Sequence, residues 1–227
     1  MSRRVGDKSP AMRCIVKTFR RPPTGHLDDR TGGFPRPSDS VAPALRYPAS
    51  PRRTLLAENL GKPSLGVIIS DLWYSMRVVI VAVGRWKKSP ERALFEHYAG
   101  RLKSPLDLIE VEEKKPLPTP KRMAREADLL RAAVPKGAVL VALDGGGRGL
   151  GSREFADRLA GWRDDGVGDV AFVIGGADGF DPTIRNGADL ILALGPQTWP
   201  HLLVRGLLAE QLYRAECIAA GHPYHRE

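Results

Sequence analysis

Gly137-Ala138-Val139-Leu140-Val141-Ala142-Leu143 runs directly into Asp144 and Gly145-Gly146-Gly147-Arg148-Gly149. The seven leading residues are apolar without alternation, the pattern of a strand buried on both faces. The glycines then end it in a turn where backbone can approach a ligand closely. The pattern recurs. Residues 169–174 form an apolar strand stopped by Gly175-Gly176, residues 188–194 one stopped by Gly195-Pro196, and residues 77–83 one stopped by Gly84. Residues 106–111 add another strand.

Helical segments separate these strands. Ser89-Pro90-Glu91 reads as an N-cap followed by proline at the first helical position, opening a helix over residues 90–102. Thr119-Pro120 opens a second helix to residue 134, with Lys121, Arg122 and Arg125 along it. Ser152 is placed to cap a third, to residue 162, and a last helix spans residues 202–220. Strands alternating with helices predict an α/β protein with a mostly parallel sheet covered by helices on both faces. Ligands in such sheets bind outside the carboxyl ends of strands. Here those ends are Leu143-Asp144-Gly145, Ile174-Gly175-Gly176 and Leu194-Gly195-Pro196, and their convergence predicts a small-molecule site.

The chain has 227 residues, 42% apolar, with a net charge of +9. That apolar fraction is enough for a core and excludes a wholly disordered chain. The two cysteines, Cys14 and Cys217, exclude a disulfide framework and a multi-cysteine zinc site. The charge is unevenly placed. Residues 1–75 hold 13 Lys/Arg against 6 Asp/Glu, a net of +7, together with nine of the 19 prolines. Arg21-Pro22-Pro23 and Phe34-Pro35-Arg36-Pro37 typify the segment. Prolines at this density stop helix and sheet from propagating. Residues 1–75 therefore read as a Pro/Arg-rich leader, disordered or not translated, with an Arg-rich targeting peptide as the alternative. Residues 76–227 read as the folded domain, with a net charge of only +2. The apolar run over residues 65–83 contains Asp71 and Arg77. Each charge costs about 2.5–3.5 kcal/mol at a bilayer centre, so a soluble strand from Arg77 is expected and no membrane span.

The common motifs fail. Counting from Gly145 and Gly147, the third glycine of a dinucleotide fingerprint falls on Leu150; counting from Gly147 and Gly149, it falls on Ser152. There is no phosphate loop, nucleophile elbow or zincin motif, and the five histidines are not spaced for a metal.

Three stretches do resemble a known family. Phe172-Val173-Ile174-Gly175-Gly176-Ala177-Asp178-Gly179 is similar to the IGG-x-[DE]-G turn of the RlmH family. His201-Leu202-Leu203-Val204-Arg205, with Ala209-Glu210-Gln211-Leu212-Tyr213-Arg214-Ala215, resembles its last helix, and His222-Pro223-Tyr224-His225-Arg226-Glu227 its C-terminus. The likeness covers residues 76–227. The resemblance implies a SPOUT fold with a C-terminal trefoil knot, and N3-methylation of a pseudouridine in 23S ribosomal RNA. It also implies S-adenosyl-L-methionine as donor, a homodimer whose interface builds the sites, the large ribosomal subunit or assembled ribosome as partner, and a cytoplasmic location. Carried over residue by residue, the cofactor meets Leu143, Gly175 and the loop Leu194, Gly195, Pro196, Gln197, Thr198 and Trp199. Pro196 and Trp199 depart from the family pattern.

Methyl transfer to N3 requires a proton to leave. His225 is expected to accept it, Arg205 or Arg226 to bind phosphate or steady the ring carbonyls, and Tyr224 to stack on the base. Arg85, Lys87, Lys88, Lys114 and Lys115 are placed to line an RNA path. A knotted RNA-binding or ribosome-assembly factor without catalysis is the alternative.

Overall fold

The computed structural model describes the backbone of residues 15–19 and all of residues 76–226. Among the described residues, six strands form one sheet. They are β1 (Ile15–Phe19), β2 (Arg77–Val83), β3 (Leu106–Val111), β4 (Val139–Gly149), β5 (Asp169–Ile174) and β6 (Leu190–Ala193), in the order β1-β3-β2-β5-β4-β6. β2 to β6 run parallel, and β1 is antiparallel on the edge of β3. The helices are α1 (Pro90–Ala99), α2 (Thr119–Ala133), α3 (Ser152–Asp164), α4 (Pro182–Asn186) and α5 (His201–Ala219).

Alternation along the strands divides the core. Val78, Ile80 and Ala82 of β2 pack with Phe95, Phe155, Phe172 and Leu208 under α1, α3 and α5. Val79, Val81 and Val83 point the other way, onto Ala127 and Leu130 of α2 and Ile184 of α4. Both sheet faces are thus covered, as the unbroken apolar runs predict.

Local chemistry explains the element boundaries and the departures from expectation. Ser89 Oγ accepts from the Arg92 N–H, and Pro90 starts α1 as read. β4 does not stop at Leu143. Leu143 and Arg148 both pair with Leu192, so the intervening glycines bulge out before Arg148 and Gly149 rejoin the ladder. Ser152 is not the cap of α3. Gly151 holds that position, its N–H donating to Glu154 Oε2 at 3.1 Å, while Ser152 Oγ donates to Gln211 Oε1 on α5 at 3.0 Å. The short helix α4 escaped the sequence reading; Asp181 Oδ1 caps it by accepting from the Thr183 N–H at 2.9 Å. β1 lies within the leader. Ile15-Val16-Lys17-Thr18-Phe19 lies in a proline-free stretch rich in β-branched residues, and the outer edge of β3 offers it a ladder. The rest of the leader lies outside the described residues.

Candidate active site

The carboxyl ends of β4, β5 and β6 meet at one cleft of about 310 Å³. Leu143, Gly175, Leu194, Gly195, Gln197, Thr198 and Trp199, all expected at a cofactor site, line it; Pro196 does not and faces solvent. Sequence reasoning missed Phe180, His201 and Val204, which complete the wall. The available signal for His201 was its place: first residue of the helix that follows the β6 loop, one turn before Arg205.

Glycine is required at two of these positions. A Cβ on Gly175 would stand 2.9 Å from the Gly179 carbonyl oxygen, because the turn folds back tightly on itself. Gly195 has φ +100°, which side chains rarely adopt. The loop after it is closed by the Trp199 indole N–H donating to the Leu194 carbonyl at 3.0 Å. Asp144 Oδ1 accepts from the Gly146 N–H at 2.8 Å, and Arg185 of α4 stands 3.8 Å from its other oxygen. Arg122 of α2 donates to Asp178 in the glycine turn at 2.5 Å, tying that turn to α2. Glu126, also on α2, is held above the usual carboxylate range by burial.

Arg205 does not sit where the sequence reading places it. Its side chain is 0% exposed and is consumed by the protein. One guanidinium nitrogen donates to Glu110 Oε1 at 3.2 Å, and the other to the carbonyls of Val83 at 2.6 Å and Gly84 at 2.9 Å. The guanidinium also lies 4.7 Å above the Trp86 ring. Glu110 in turn accepts from the Trp86 N–H at 2.7 Å. A guanidinium so buried is closed to an RNA phosphate, so Arg205 acts by tying α5 to the ends of β2 and β3. Burial, and secondarily the Arg205 charge, hold His201 below its ordinary pKa, which keeps the ring neutral at pH 7.

The C-terminal tail lies elsewhere. Tyr224 OH donates to Glu210 Oε1 at 3.0 Å and meets the Tyr98 hydroxyl at 3.4 Å. Its ring packs edge-on against Tyr213, 4.8 Å between centroids, beneath the Arg214 guanidinium. Burial, then the Tyr98 and Glu210 contacts, push its phenol far up, so it remains a donor. His225 Nδ1 is buried with no hydrogen-bond partner among the described residues, and Arg226 is exposed. None of these three residues lines the cleft. Glu210, to which Tyr224 is anchored, lies nine residues along α5 from His201, about 13 Å of helical rise. Arg85, expected on an RNA path, pairs with Glu112 at 3.4 Å.

A parallel α/β sheet whose glycine turns enclose a cleft at the carboxyl ends of its strands has the arrangement in which α/β folds bind small molecules. The chain belongs to the SPOUT methyltransferase family: the model described as "Predicted SPOUT methyltransferase" matches residues 76–225. It is 58% identical over 151 residues to the ribosomal RNA large subunit methyltransferase H of Paramagnetospirillum magneticum, covering 66% of this chain and 99% of that protein. The protein of that name from Rhodospirillum centenum is 59% identical over the same shares. Among solved structures, a probable methylase family protein from Haemophilus influenzae Rd KW20 aligns with 12% identity and a TM-score of 0.42, over 68% of this chain and 72% of that one.

Proposed function

We propose that this chain transfers a methyl group from S-adenosyl-L-methionine to N3 of a pseudouridine in 23S ribosomal RNA, on the large subunit or assembled ribosome. It works in the cytoplasm as a homodimer whose C-terminal part is threaded as a trefoil knot. One observation carries the reading: the three glycine-ended strands close a single cleft in a chain 58% identical to a ribosomal RNA large subunit methyltransferase.

The cleft suits this cofactor chemically. Leu143, Ile174, Phe180, Leu192 and Val204 provide apolar walls for a planar ring, and the glycine turns bring backbone groups near its polar edges. Among the described residues that line the site Asp144 is the acid, and none is a lysine or arginine. Arg185 pairs with Asp144 at 3.8 Å without lining the cleft, so a cationic sulfonium meets a largely neutralised wall. When bound, the cofactor supplies a methyl group activated by positive charge on sulfur. The protein's task is alignment and removal of a proton.

The tail completes the site from a second copy. Tyr224, His225 and Arg226 stand away from the cleft of their own chain, so a role in RNA binding is met at the cleft of the partner. There Arg226 meets phosphate, while Tyr224, its ring covered by Tyr213 and Arg214, holds the tail in shape instead of stacking on a base. The experiment is incubation of the chain with methyl-labelled S-adenosylmethionine and ribosomes from a strain lacking the modification. Label at N3 of a 23S pseudouridine is expected. Tight ribosome binding without label refutes the enzyme reading and leaves an assembly factor.

A further inference from the structure

The proposed reaction requires a group to take the N3 proton, and the cleft offers few. Among the described residues that line it, Asp144 and His201 carry titratable side chains. Asp144 is engaged by the Gly146 N–H and by Arg185. His201 is not: neither ring nitrogen is hydrogen-bonded to another described residue. The ring packs over the end of β2, with Nε2 3.6 Å from where a Cβ on Gly84 would stand. One helical turn on, Arg205 grips the Gly84 carbonyl and Glu110, which fixes the first turn of α5 and the place of the ring.

We propose that His201, positioned over the cleft by the buried Arg205–Glu110 pair, accepts the N3 proton, and that His225 serves RNA binding instead. This inference rests on the methyltransferase reading. As the N3–CH3 bond forms, the bond from methyl carbon to donor sulfur breaks and its electron pair stays on sulfur, leaving a neutral thioether. The N3–H electron pair stays on N3, and the proton passes to an imidazole nitrogen of His201, directly or through one water, and then to solvent. N3 grows more acidic as the new bond forms, so a neutral imidazole is a sufficient acceptor.

The charged groups around the ring are Arg205 on its own helix, Glu110 on β3 behind Arg205, Asp144 across the cleft, and the Arg85–Glu112 pair at the ends of β2 and β3. Arg205 is the one whose charge pulls His201 down, in addition to burial. Both favour the neutral form, the form with a free lone pair.

The test is single-turnover methyl transfer to unmodified ribosomes between pH 5 and 9, with full-length wild type, His201→Asn, His201→Ala and His225→Ala. Loss of a general base lowers the rate on the order of 100-fold or more, expected of both His201 variants. S-adenosylhomocysteine affinity, read by calorimetry, should change by less than about tenfold. Added imidazole should restore part of the His201→Ala rate, and the acid limb of the pH profile should vanish from that variant but persist in His225→Ala. A His201→Ala rate within about threefold of wild type, a persisting acid limb, or an affinity loss as large as the rate loss would overturn the assignment. Wild type that transfers no methyl overturns the methyltransferase reading, and the assignment with it.

Discussion

Replacing Glu110 tests whether α5 is held as the structure indicates. The Arg205 and Glu110 side chains are 0% and 2% exposed, 3.2 Å apart. Burial outweighs the attraction of Glu110 and pulls the Arg205 guanidinium down to about 10, yet it remains protonated at neutral pH. Removing one partner of such a pair leaves an uncompensated buried charge, at a cost of about 3–5 kcal/mol. Glu110→Gln keeps an oxygen for the Trp86 N–H and should fall near the lower end. Arg205→Met strands the Glu110 carboxylate and also removes the donor to the Val83 and Gly84 carbonyls, placing it at the upper end or beyond. In a protein of this size 1 kcal/mol moves Tm by about 2–4 °C, so Glu110→Gln should lower Tm by roughly 6–12 °C. The double variant Arg205→Met/Glu110→Met removes both charges together. Its loss should be smaller than the sum of the single losses by more than about 1 kcal/mol. Scanning calorimetry with urea unfolding measures all of these. A Glu110→Gln protein within about 2 °C of wild type, or strict additivity in the double variant, would show that the pair does not hold the helix.

Three further expectations follow from the cleft, the histidine and the leader. Gly175→Ala drives a methyl into turn backbone that cannot yield independently, which should cost about 1–3 kcal/mol and weaken S-adenosylhomocysteine binding more than tenfold. Gly145→Ala, whose Cβ meets nothing within 4 Å, is the control for stability. Because His201 is held below its ordinary pKa of about 6.5, the unfolded chain takes up that proton first. Stability should fall as the pH drops below about 6.5, until it passes the lowered native value, and His201→Asn should flatten that part of the unfolding-against-pH curve. A chain starting at Met76 should methylate ribosomes at the full-length rate while aggregating more readily, since the edge of β3 loses β1. A large fall in rate would make the leader part of the working enzyme.

Much of the fold was legible because its signals are local. Apolar runs ended by glycine gave β2, β4 and β5, and serine before proline gave the start of α1. What escaped depends on partners distant in sequence. β1 needs the free edge of β3, where Ile15 pairs with Glu110, 95 positions further along the chain. The glycine bulge of β4 is set by where Leu192 of β6 falls. Ser152 carries the right chemistry for a cap, but Gln211 on α5 claims its hydroxyl. The cleft could be read because all three strand ends carry glycine, whereas the fate of Arg205 could not. An arginine on a helix near a glycine loop has the same sequence signature whether it faces RNA or, as here, fills the core between Trp86 and Glu110. His201 was overlooked for the converse reason: a histidine at the start of a helix acquires meaning only once its ring is seen over the cleft.

Cleft and tail belong to opposite ends of one rigid element, and that fact bears on how the site is assembled. α5 has 19 residues, so its ends are about 28 Å apart, and the tail folds back only as far as Glu210. Two copies related by a two-fold axis, with their α5 helices antiparallel, would carry each tail toward the other's cleft. Complementation tests this directly. A Gly175→Ala chain has a damaged cleft and an intact tail; a chain lacking residues 222–227 has the reverse. In a mixed dimer assembled in trans, one of the two sites receives an intact cleft and an intact tail. Random mixing makes about half the dimers mixed, so about a quarter of wild-type activity should return from two nearly inactive proteins. If each site were built within one chain, every site in the mixture would keep a defect and no activity would return. The low positive charge of the folded domain makes that assembly more important. With many of its arginines already paired to Asp or Glu, RNA affinity must come from a few groups brought to one place, not from a broad basic field.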